Sequence, residues 1–146
     1  MKKTFFFFNL IIITVISCKQ KVTHKPTIIG SWKLVYNEIK EADSVQVKDL
    51  SKTDFIKIIN NSHFSFISQP KDSLGSFYAG AGTYSFDGEN YIETLKYIEY
   101  KPIRNHQFPF KIKIKGDTLI QSGTEKVEGI NMNREIVEKY IRIQKK

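Results

Sequence analysis

The sequence predicts an all-β protein, either an antiparallel barrel or a sandwich. Three observations carry this. Short runs alternate apolar and polar residues with period two, most cleanly in "FKIKIK". Turn signals such as "NNS", "DGE" and Gly116-Asp117 separate the runs at short intervals. Phe, Tyr and Trp make up 13% of the chain and many fall on alternating positions, where bulky β-favoured side chains suit an inner sheet face.

The chain starts differently. Lys2 and Lys3 precede an uncharged run from Phe5 to Ser17. At helical rise that run covers about 20 Å, short of the ~30 Å hydrocarbon core, so it fits a signal-peptide h-region better than a membrane span. It ends in "VISC", which looks like a bacterial lipobox; an ordinary secretory signal would end in an A-x-A-like site, and none is present. That resemblance implies that Cys18 becomes the lipid-bearing first residue of the mature chain. Residues 1–17 are then a lipoprotein signal peptide and 18–27, "CKQKVTHKPT", a lipidated tether. The domain spans residues 28–146.

Cys18 is the only cysteine in the 146-residue chain; once it carries lipid, the mature chain has no other, so no internal disulfide, Cys–His dyad or thiolate metal site is expected. The chain has 23 basic and 15 acidic residues; losing Lys2 and Lys3 lowers the net charge from +8 to +6. For a protein of the cell envelope that charge suits solubility or anionic headgroups, and nucleic acid is not an expected partner. The expected location is the outer membrane, facing the periplasm. Lysines follow Cys18, where some surface-exposed lipoproteins carry acids.

The elements then follow in order. "SWKLVYNEI" reads as a strand with Trp32, Leu34 and Tyr36 on one face. "KEADSVQVKDLSKTD" is polar and reads as a loop or a short helical turn. "FIKII" and "HFSFIS" are strands joined by "NNS", with Phe64 and Phe66 on one face of the second. "QPKDSLG" is a loop. "SFYAGAGTYSF" and "NYIETLKYIEY" form a hairpin around "DGE". Gly80 and Gly82 lack a third glycine and a following helix, so they read as a bend or bulge, not a phosphate loop. "KPIRNHQFP" is a loop, and "FKIKIK" and "TLIQSG" form a last hairpin. "REIVEKYIRIQ" has a helical stripe but is rich in β-branched residues and alternates Glu138, Tyr140 and Arg142 on one face, so it reads as a strand.

The segments "GSWKLV", "IKIINNSHFSF", "GAGTYSFDGENYIETLKY", "KGDTLIQSG" and "EKYIRI" together resemble small lipocalin-like domains of bacterial lipoproteins, of the kind found in Bacteroidetes-type organisms. The resemblance spans almost all of residues 28–143. It implies an up-and-down β-barrel of about eight strands, closed at one end and open to a ligand at the other. It also implies that a C-terminal arginine, here Arg142, packs over the tryptophan of the G-x-W motif, Gly30-Ser31-Trp32, where the last strand meets the first.

Candidate site residues come from the inner faces. Glu93 shares a face with Tyr91, Leu95 and Tyr97. A carboxylate among rings needs a partner or a raised pKa, and Arg142 is the expected partner. Phe64, Phe66, Tyr84, Tyr91, Tyr97 and Phe110 are candidate cavity-lining residues with Glu93, although the same rings would equally fill a solid core. His24, His63 and His106 form no metal-spaced pair, and no G-x-S-x-G or compact catalytic set is present. Neither metal, cofactor nor catalysis is expected. The expected function is non-catalytic binding of a small apolar or amphipathic ligand by a lipid-anchored barrel. The alternative is a solid barrel acting as a protein-interaction module.

Overall fold

The computed structural model describes residues 27–72 and 75–144. The expectations for residues 1–26, Cys18 among them, lie outside the described residues. The strands are β1 (Gly30–Glu41), β2 (Ser44–Val47), β3 (Thr53–Ile59), β4 (His63–Pro70), β5 (Tyr78–Phe86), β6 (Asn90–Ile98), β7 (Gln107–Lys115), β8 (Thr118–Val127) and β9 (Met132–Arg142). A 3₁₀ turn, Lys101–Ile103, lies between β6 and β7.

Every pairing is antiparallel, and β1 pairs with β9, so β1 and β3 to β9 close into an eight-stranded up-and-down barrel. This is the lipocalin-like architecture expected from the sequence. Closure leaves no free edge in the ring. β2 is the extra strand: it pairs only with the far half of β1, Glu38 to Glu41, in a stretch expected to be a loop or helical turn. All four of its residues are exposed, so no inward apolar face announces it in the sequence.

Alternation positions most of the core. In β7, Phe108, Phe110 and Ile112 point inward, while Lys111, Lys113 and Lys115 face solvent. The C-terminal segment is strand β9, with Ile136, Glu138 and Tyr140 inward.

Two bulges break the period. In β1 the register slips between Leu34 and Tyr36, so Asn37 and not Tyr36 is the next buried residue. Tyr36 turns outward, where Lys139 Nζ lies 4.5 Å from its ring centroid. Between β5 and β6 the register slips at Ala81/Gly82, and Lys96 is skipped. Leu95 before it and Ile98 beyond it are buried, whereas Tyr97 is 65% exposed. A Cβ on Gly82 would overlap the carbonyl oxygen of Thr94, so the two backbones approach closely only because this residue is glycine.

One end of the barrel is sealed. Trp32 is fully buried there, and its Nε1 donates to the Ile28 carbonyl at 2.8 Å. The Arg142 guanidinium carbon lies 4.0 Å from the Trp32 ring centroid. Its two terminal nitrogens donate to the carbonyls of Ile29 (2.8 Å) and Thr27 (2.6 Å), tying the incoming chain across the end. Gly30 has φ +148°, and a side chain there would meet Arg142 Nη1. The G-x-W and the distant arginine are therefore one closure device.

Candidate functional site

A cavity of about 290 Å³ opens at the opposite end. That volume is at the low end for small-molecule sites. Its walls mix apolar side chains, Leu34, Phe55, Phe66, Leu95, Phe110 and Ile136 among them, with polar ones such as Thr53 and Ser68. The rings of Phe55 and Phe66 stack with centroids 5.8 Å apart, and Tyr78 packs on Phe66 at 5.4 Å. At the rim, Lys48, Asp49 and Leu50 come from the β2–β3 connection. Ile103, from the 3₁₀ turn, is buried into the mouth.

The polar groups of this interior are concentrated at the cavity. The buried polar side chains among the described residues are Asn37, Lys57, Glu93, Gln121 and Glu138, and all of them line it. Lys57 forms an ion pair with Glu93 and donates to Gln121 Oε1 at 2.7 Å. Its Nζ also lies 5.4–5.7 Å from the ring centroids of Phe64, Tyr91 and Tyr140. The rings' negative faces thus help hold a desolvated cation.

Glu138 is different. Asn37 Nδ2 donates to its Oε1 at 3.1 Å and the Tyr140 hydroxyl to its Oε2 at 2.6 Å. No cation pairs with it among the described residues. Burial pushes its carboxyl above the usual range; Lys57, at longer range, and the Tyr140 hydrogen bond pull the other way without cancelling it. Burial likewise raises the Tyr140 hydroxyl well above its ordinary value, with the Glu138 charge adding to the effect. Nearer the mouth, Arg134 Nε and Nη2 both donate to Glu125 Oε2 at 2.6 Å.

The candidates named from sequence divide three ways. Phe66, Glu93 and Phe110 line the cavity. Phe64 and Tyr91 are fully buried below it, and Tyr84 lies against Tyr91 with its hydroxyl donating to the Asn60 carbonyl at 2.6 Å. These three do not line the cavity; they fill the barrel below it. Tyr97 is corrected to the outer surface by the β5–β6 bulge. The partner of Glu93 is also corrected. It is Lys57, because Arg142 is occupied at the sealed end.

Lys57, Asn37, Gln121 and Glu138 were not among the residues expected to form a site. A signal existed for Lys57, which alternates with Phe55 and Ile59 on the buried side of "FIKII". None existed for Asn37, whose inward turn depends on the β1 bulge. A scan against protein-family models finds no match to this chain, and a search of curated proteins finds none either.

Proposed function

We propose that this protein is a non-catalytic binder that holds one small amphipathic molecule in its barrel cavity. The observation that carries the reading is a cavity open at one end whose lining combines apolar side chains with buried polar ones. A solid structural core has little reason to gather its buried ions around an empty volume, since unpaired burial of such groups costs several kcal/mol.

The proposal includes the small lipocalin-like lipoprotein kinship and a lipid anchor at Cys18 on the periplasmic face of the outer membrane. It is supported by the lipobox-like "VISC" and the basic stretch after it. Acyl chains contributing about 0.8 kcal/mol per buried methylene would hold the barrel at the membrane surface.

The test is native mass spectrometry of the protein made without its lipid, together with entry of an apolar dye. Retained mass or dye displaced by an apolar competitor supports the reading. Absence of both in a folded protein removes it. A Cys18→Ser protein that stays in the membrane fraction would remove the anchor.

One feature favours the interaction module instead. Phe77, Tyr78, Tyr97 and Tyr100 are all exposed where β5 begins and β6 ends, at the open end. Under that reading, serine at Phe77 and Tyr97 abolishes partner capture and leaves dye entry unchanged.

A further inference from the structure

We infer that the cavity takes a ligand carrying a protonated primary amine, whose N–H groups are received by the Glu138 carboxylate. This deepens the cavity-binding reading and rests on it.

Once Glu138 is ionised, the buried carboxylates of the cavity outnumber its buried cations. Lys57 is matched to Glu93 and further held by Gln121 and three rings, which leaves Glu138 as a second carboxyl without an ion-pair partner among the described residues. Glu138 accepts two hydrogen bonds, while a carboxylate has about four acceptor positions. Asn37 is 8% exposed and lines the cavity, and its Oδ1 has no donor among the described residues. Beside an ionised Glu138 the side-chain amide turns its N–H₂ to the carboxylate. The oxygen is then left without a donor and enclosed by its neighbours.

The unmet demand on the floor is therefore for donors and for positive charge. An alkylammonium group has three N–H donors and one charge. Its apolar stem would lie along Leu34, Phe55, Phe66 and Leu95. A carboxylate headgroup meets the opposite case: it would face Glu93 and Glu138 and find Lys57 already used. An alcohol offers one neutral donor, and neutral hydrogen bonds are roughly half as strong as charge-assisted ones.

The pH dependence has a sign. The groups facing Glu138 are Asn37 from β1, Lys57 from β3, Glu93 from β6, Gln121 and Glu125 from β8 and Tyr140 from its own strand. Arg134 neutralises Glu125. Burial holds the proton on Glu138 above the normal carboxyl range, so an entering ammonium must displace it. Amine binding therefore tightens as pH rises, until Glu138 is ionised in the free protein. An alkylamine keeps its charge across pH 5–8, because its pKa is near that of lysine, ~10.4.

The experiment is calorimetric titration of the purified protein with octylamine, octanol and octanoate. The expected order is octylamine tightest, by about ten- to a hundredfold over octanol, with octanoate weakest. In Glu138→Gln, octylamine and octanol are expected to bind within about twofold of each other, since the charge is gone and the new amide can donate to Asn37. Octylamine binding to the unaltered protein should tighten as pH rises from about 4, with octanol flat. The pH series decides the matter if the variant fails to fold. Binding of octanol or octanoate as tight as octylamine, or a flat octylamine profile, overturns the amine inference and leaves the cavity reading standing. No binding by any of the three removes both.

Discussion

Lys57 and Glu93 form an ion pair across the barrel interior, with both side chains less than a tenth exposed. They come from β3 and β6, and they set the polarity of the cavity floor. Breaking such a pair leaves a buried charge uncompensated. Lys57→Met is expected to lower unfolding free energy by about 3–5 kcal/mol, and the Lys57→Met/Glu93→Gln double variant to recover most of it. Urea denaturation of these two variants and of Glu93→Gln alone measures the coupling. Additive losses would mean that the pair does not act as a unit.

The sealed end makes a separate prediction. Trp32 is the chain's only tryptophan, so its fluorescence reports this site alone. Arg142→Met removes the cation over the ring and two hydrogen bonds to the entering chain. The expected result is a changed Trp32 emission and a loss of about 1–3 kcal/mol in stability. Unchanged emission together with unchanged stability would contradict the closure device.

Gly82→Ala is expected to cost about 3 kcal/mol or more, or to prevent folding, because its Cβ has no room against the Thr94 carbonyl. Thermal unfolding followed by circular dichroism checks this. A variant as stable as the parent would mean that the β5–β6 bulge has another register open to it.

Two carboxyls give opposite pH limbs. The folded-state pKa of Glu138 is raised, so its proton is lost more easily on unfolding, and stability falls as pH rises from about 4 through the raised value. Glu138→Gln should therefore gain stability over the parent as pH rises above about 4 and match it below. Asp87 is lowered to about 2, chiefly by its hydrogen bonds from the Asn90 side chain and backbone and the Glu89 backbone. Its contribution is present above about pH 4 and lost as pH falls toward 2, so Asp87→Asn should flatten that acid limb. Denaturation midpoints across pH 2–8 test both signs. A parent that loses no stability relative to Glu138→Gln on raising the pH would refute the assignment of Glu138.

Much of the fold was legible because alternation and turn chemistry are local. β7 reads directly from "FKIKIK", and the pairing of Trp32 with Arg142 follows from the lipocalin resemblance. Alternation misplaces side chains where one residue is inserted. Tyr36 and Tyr97 each sit just past a bulge, and a single unpaired residue moves every later side chain to the other face. The inward position of Glu93 was legible, since it precedes the β6 slip. Its partner was not, because joining Glu93 to Lys57 requires the shape of the closed barrel. β2 went unread because its short polar strand has no buried side to pattern.

The central claim is that ligand enters the barrel, and methyl NMR during an octanol titration tests it most directly. The account predicts shifts at the cavity-lining methyls of Leu34, Leu95, Ile103 and Ile136, with none at the exposed Ile58, Ile67 and Ile141. Shifts confined to the outer methyls, or no shifts at all in the folded protein, would contradict it.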